Sequence, residues 1–195
     1  MVFSTLDLYQ VISLMKRVYL EEIMTVAIIG AGIGGLSLGL CLHKLNIPFQ
    51  IYEAVKELKP LGVGINIQPH AVRELFALGL KKDMDSLGIC SEEVAYYSKQ
   101  GDLIWTEPRG IGAGYRWPQY SVNRGDLQML LYREITRRAG PNVIKTNTSL
   151  TNWHEKPTQI EMEFIDRKSG KFGFKEVPIS NSPYERGNIK MLLKL

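Results

Sequence analysis

Two cysteines in 195 residues give no basis for a disulfide framework. Cys41 and Cys90 stand far apart and neither belongs to a Cys-x-x-Cys pair, so reduced, structural thiols in a cytoplasmic protein are expected. Histidine is just as scarce. His43, His70 and His154 are not spaced from one another, or from cysteines and carboxylates, as metal ligands would be, and no metal is expected. No apolar run reaches the ~18 to 20 residues that span a bilayer, so no membrane association is expected. Residues 1–24 lack the basic start, long apolar centre and small-residue cleavage site of a targeting peptide. Runs of one charge are missing too: 24 Lys and Arg are scattered among 20 Asp and Glu, which leaves a net +4 without the basic stripe that nucleic acid requires. There is no Ser-His-Asp order and no G-x-S-x-G elbow. No side chain therefore stands out as a catalytic nucleophile, acid or base.

Glycine is where the sequence is rich. The stretch VAIIGAGIGGLSLGL, Val26 to Leu40, crowds glycines between two apolar runs. Gly30, Gly32 and Gly35 form G-x-G-x-x-G directly after an apolar strand and at the opening of a helix. In that context the first glycine permits a tight turn, the second lets backbone approach a pyrophosphate, and the third lets the helix pack closely on the strand. A helix start also offers unpaired N–H groups and about half a positive elementary charge. Glu53 closes the next strand, 23 residues after Gly30. That is near the ~20 expected for the acid that binds an adenosine ribose. The turn is expected to face a dinucleotide diphosphate. FAD and NAD both carry an ADP half, and these residues leave the two open.

The surrounding pattern is strand, helix, strand. TVAII from Thr25 reads as a buried strand, the leucines from Leu36 to Leu45 recur on a helix, and FQIYEA, residues 49–54, is the next strand. Residues 69–82 read as a helix with Pro69 in its first turn, followed by a looser stretch. Tyr96 to Trp105 reads as a hairpin around Gln100 and Gly101, residues 107–118 as loop, and SVNRGDLQMLLYREITRR as a strand end leading into a helix through Arg124. In residues 159–176 alternating apolar positions on both sides of Lys-Ser-Gly predict an antiparallel hairpin with one buried face. Trp105, Trp117 and Trp153 are expected to pack in core and loops rather than to form a stacking surface. The chain thus divides into an extension over 1–24 with amphipathic helical spacing, an α/β domain over 25–176, and a divergent, poorly ordered tail over 177–195. Met24, directly before the first strand, marks where the domain is expected to start.

Three stretches carry a family resemblance. VAIIGAGIGGLSLGLCLHKLNIPFQIYEA, LGVGINIQPHAVRELFALGL and YSVNRGDLQMLL follow the order of landmarks in the amino-terminal part of class A flavin-dependent monooxygenases, the aromatic-ring hydroxylases. The chain resembles that family from about Thr25 to Glu176, and LGVGINIQP, TEPRG and PQYSVNRGDLQM are nearest to its phenazine monooxygenase branch. The resemblance implies a Rossmann-like FAD-binding domain of the glutathione-reductase type, with a parallel sheet and an antiparallel hairpin. It implies FAD as cofactor, NAD(P)H as co-substrate and a small aromatic substrate. Gly30, Gly32 and Gly35 would contact the FAD pyrophosphate, Glu53 the adenosine ribose and Arg124 the flavin nucleotide, while Gly62 and Gly64 would lie near the flavin. The guanidinium of Arg124 offers five fixed donors suited to phosphate or ribityl oxygens. The plainer alternative for Arg124 is a surface ion pair with Asp126 or Glu134. One departure is Ala54, where many members carry Arg.

The resemblance also implies a later Gly-Ala-Asp-Gly segment and a Gly-Asp-Ala-x-His-x-x-x-Pro segment. Neither is here, since Asp166 is the final aspartate and sits in the expected hairpin turn. The expectation is a truncated domain that cradles the ADP half, leaves the flavin ring largely uncovered and hydroxylates weakly or not at all by itself. Its sheet edges are expected to invite pairing with another chain. A catalytically silent FAD-binding or partner-binding fragment and an NAD-dependent dehydrogenase stand as alternatives.

Overall fold

The structure, a computed structural model, describes residues 26–157 and 159–178. The expected helical extension over 1–24 and the tail beyond Pro178 lie outside the described residues.

The apolar run opens as β1 (Val26–Ile29) and passes through the glycine turn into α1 (Ile33–Lys44), then returns as β2 (Phe49–Tyr52). β1 and β2 pair in parallel from Val26 opposite Phe49 to Ile29 opposite Tyr52, the expected βαβ unit. Next come β3 (Gly64–Ile67), α2 (Pro69–Ala77), α3 (Lys81–Leu87), β4 (Ile89–Ser91), β5 (Glu93–Tyr97) and β6 (Leu103–Pro108). The chain continues as β7 (Gln119–Asn123), α4 (Arg124–Ala139), β8 (Ile144–Lys145), β9 (Thr148–Glu155), β10 (Gln159–Asp166) and β11 (Phe172–Pro178). β8 adds to the parallel sheet beside β2, giving the order β1-β2-β8. The remaining strands form antiparallel sheets in the orders β11-β10-β9 and β3-β7-β4, with β5 and β6 as a hairpin.

Several sequence expectations shift. The helix expected over 69–82 stops at Ala77, because Gly79 turns the chain at φ 81° and buries Leu80 in the core. The chain then forms α3 where a looser stretch is expected. Gly64, one of the glycines the resemblance puts near the flavin, opens a strand, Gly64–Ile67, that pairs with β7. The strand after α1 stops at Tyr52 rather than Ala54, and β6 takes in Glu107 and Pro108 from the expected loop. β9 was not expected at all, since TSLTNWHE has little apolar alternation and its pairing is supplied by β10. β11 runs through Pro178, opposite Gln159, two residues past the expected end of the domain.

The main core lies between α1 and α4. Leu36 and Leu40 of α1 and Leu127, Leu131 and Ile135 of α4 are fully buried there, together with Ile28 and Ile51 of the parallel sheet. Each such side chain contributes about 1.5 to 3 kcal/mol by leaving water. α1 sits so close to the sheet that a Cβ on Gly39 would stand 3.0 Å from the Phe49 ring. A smaller cluster of Tyr52, Met162 and Phe164 binds the β9–β11 sheet to the end of β2, with the Tyr52 and Phe164 rings stacked at 4.4 Å. Among the described residues no helix is long and apolar enough to cross a membrane.

Candidate functional site

The three motif glycines do three different jobs. Gly30 has φ 103°, in the region that favours glycine, and donates its N–H to the Tyr52 carbonyl at 2.8 Å, which ties the turn to the end of β2. At Gly35 a Cβ would stand 2.0 Å from the Gly30 carbonyl oxygen, so only glycine lets α1 start against the turn. Gly32 is different. It is the N-cap of α1 with an ordinary φ of −73°, and a Cβ there would meet nothing within 4 Å. The first turn of α1 contains no acid and its N-cap provides no capping side chain, so its leading N–H groups face outward without a partner from the helix.

Glu53 follows β2, and its backbone is clamped on both sides: its N–H donates to the Lys145 carbonyl at 2.8 Å and its own carbonyl accepts from Thr148 at 2.8 Å. The carboxylate turns back on the glycine turn. One oxygen accepts the Ala31 N–H at 2.7 Å and the other the Val55 N–H at 2.9 Å. A carboxylate offers about four acceptor sites, so roughly two remain for hydroxyls from outside.

Arg124 opens α4 and is exposed. Asn123 caps the helix, accepting from the N–H groups of Gly125 at 2.8 Å and Asp126 at 3.3 Å. The segment Pro60–Val63 runs across this helix start: Arg124 donates its backbone N–H to Val63 at 3.1 Å, and a Cβ on Gly125 would stand 2.7 Å from Pro60. Gly62, at φ 147°, lies against the Arg124 stem, where a Cβ would come within 3.1 Å of the Arg124 Cβ. Gly64 opens β3 opposite Asn123 in open surroundings. The ion-pair alternative for Arg124 fails. Glu134 is held by Arg137 at 2.8 Å and Arg138 at 2.7 Å, and Arg124 pairs with no acid among the described residues.

Sequence reasoning missed Gln128. Its Nε2 donates to the Ala31 carbonyl at 2.8 Å, so α4 grips the glycine turn directly. The available signal was its spacing, four residues and one helical turn beyond Arg124. Gln128 therefore links the turn with Glu53 to the helix that carries Arg124. Among the described residues no three His, Cys, Asp or Glu side chains gather as a metal site would require. An open depression of about 700 Å³, lined in part by Glu93, Thr106, Arg109 and Ile111, shares none of these residues.

No family model matches the chain. It is 41% identical over 146 residues to the phenazine 1,6-dicarboxylic acid hydroxylase of Lysobacter antibioticus, which covers 74% of this chain and 36% of that protein. It is also 41% identical over 150 residues to a FAD-dependent urate hydroxylase of Klebsiella pneumoniae, covering 75% of this chain and 38% of the relative. A 3-amino-4-hydroxybenzoate 2-monooxygenase of Streptomyces cremeus is 26% identical over 144 residues, with 72% and 36% covered. Among solved structures, a Klebsiella pneumoniae HpxO variant complexed with FAD is 26% identical with a TM-score of 0.59, covering 77% of this chain and 37% of that one. The flavin-dependent monooxygenase PieE, in complex with FAD and substrate, shares the fold with a TM-score of 0.67 at 12% identity, over 79% of this chain and 29% of that one. The chain thus spans 36% and 38% of the lengths of the first two relatives. By sequence and by fold, the chain is similar to the amino-terminal part of FAD-dependent monooxygenases.

Proposed function

We propose that this chain binds FAD by its ADP half and is the FAD-binding part of a monooxygenase that hydroxylates an aromatic ring with NAD(P)H and O2. Gly32 carries the reading. Neither its φ nor the packing around it requires glycine, and its Cβ position opens on empty space at the start of a helix whose first turn has no capping side chain and no acid. A bare, amide-lined cradle of this kind fits a diphosphate.

The other residues fit the same ligand. The remaining acceptor sites of Glu53 suit ribose hydroxyls, and its charge disfavours a phosphate on the ribose. Arg124, whose guanidinium donates to the Leu61 carbonyl at 3.5 Å and pairs with no acid among the described residues, supplies a cation for phosphate or ribityl oxygens, and Gly62 leaves room for its stem. Gly64 keeps the neighbouring strand start free of side chain. When bound, FAD supplies the redox and oxygen chemistry, and the role of these residues is to hold and orient it. Residues 25–176 form the binding unit in this reading, with the extension over 1–24 and the tail over 177–195 flanking it. An aromatic substrate is supported by relatives named for phenazine dicarboxylic acid, urate and aminohydroxybenzoate.

Titration of purified chain into FAD, followed by flavin fluorescence, tests the reading. The parent is expected to give a saturable change, and Gly32→Val to abolish it while keeping the parent's circular dichroism. A flat response from the folded parent would overturn the proposal, and tight NADH binding without FAD would favour a dehydrogenase instead.

A further inference from the structure

We infer that Gln128 is a positioning residue for the diphosphate: by holding the Ala31 carbonyl, it aims the Gly32 N–H out of the glycine turn. This rests on the FAD-binding reading and adds to it a residue that the motif does not contain.

The argument is one of peptide geometry. In a trans peptide the carbonyl of one residue and the N–H of the next lie in one rigid plane and point opposite ways. The Ala31–Gly32 bond is trans, and its oxygen accepts from Gln128 Nε2 at 2.8 Å. Fixing that oxygen against α4 fixes the Gly32 hydrogen on the far side. The preceding plane is fixed as well, because Ala31 donates its N–H to Glu53 at 2.7 Å. Ala31, at 0% exposure, is thus held through both its peptides by side chains 22 and 97 residues away.

Such restraint is needed because Gly32 has no Cβ to confine it. Its peptide can rotate by compensating changes at Ala31 and Gly32, and many of those orientations turn the amide away from an anion. Gln128 itself is well placed. Leu127, Leu130 and Leu131 on either side of it are buried, which locks the rotation of α4 about its axis. One helix therefore carries the Arg124 cation and also orients the amide of the facing turn.

The test compares two probes on the full chain. ADP carries the diphosphate and adenosine does not, while both carry the ribose and base. Gln128→Met keeps the side-chain length without a donor, and Gln128→Glu keeps the shape with acceptors only. Each is expected to weaken ADP binding about ten-fold or more while changing adenosine binding by less than about two-fold, in line with loss of a donor that orients a charge-assisted bond. The shift of the Gly32 amide resonance on adding ADP should disappear in both variants. Unchanged ADP affinity in a folded variant would overturn the role of Gln128 alone, and equal weakening of ADP and adenosine would reduce it to a structural residue. A parent chain that binds neither ADP nor FAD would overturn the underlying reading and this inference with it.

Discussion

Within one six-residue motif, glycine serves separable physical purposes. Gly35→Ala places a Cβ 2.0 Å from the Gly30 oxygen, so the turn or the helix must move. The expected cost is about 1 to 3 kcal/mol, read as a lower midpoint in urea. Gly32→Ala meets no such obstacle: the gain of about 0.4 to 1 kcal/mol from restricting the unfolded chain is offset by a poorer N-cap, so stability should stay within about 1 kcal/mol of the parent. Its effect should instead be a loss of FAD affinity. Parallel denaturation and FAD titration check this division, and a similar loss of stability in both variants would refute it. The roles of Gly30 and Gly35 were legible from spacing. The grip of Glu53 on the turn was not, because it depends on a backbone clamp from Lys145 and Thr148, more than 90 residues downstream.

α4 shows how much one element positions and how it can be tested. Asn123→Ala removes the acceptor for two helix-start N–H groups and is expected to cost about 0.5 to 2 kcal/mol in thermal unfolding. Near the other end of the helix Arg137 first, and Arg138 with it, hold the Glu134 carboxyl at a pKa of about 2. A carboxyl lowered on folding adds stability above its unfolded pKa and loses it as pH falls through the folded one. Glu134→Gln should therefore be less stable than the parent at neutral pH. That deficit should shrink between pH 4.5 and about 2 in urea melts at stepped pH. Elements with strong periodicity or punctuation, such as β1, α1, α4 and the β10–β11 hairpin, were readable from sequence. β9 and β3 were not. β9 is short of apolar alternation, and β3 is only four residues long with Ile65 and Ile67 behind a glycine-rich stretch, so each is a strand because of the partner it pairs with.

At the scale of the molecule, ligand binding and surface chemistry pull on the same equilibrium. FAD that binds only the folded chain should stabilise it by about 2.7 kcal/mol at a hundred times its Kd, and ADP should do so in the same way. A thermal midpoint indifferent to both would contradict the proposed site. Among the described strands β1 lies at a sheet edge, and Leu61, Val63, Ile104, Phe172 and Phe174 are strongly exposed. Sedimentation at rising protein concentration is therefore expected to show self-association. The short β8 has a temporal consequence. It joins β2 through Ile51 opposite Ile144, and Glu53 receives its last backbone restraint from Thr148, so a growing polypeptide emerging from the ribosome cannot complete the corner that holds the Glu53 carboxylate until those residues have left the exit tunnel. Until then the early β1–α1–β2 unit must persist without the help of nucleotide.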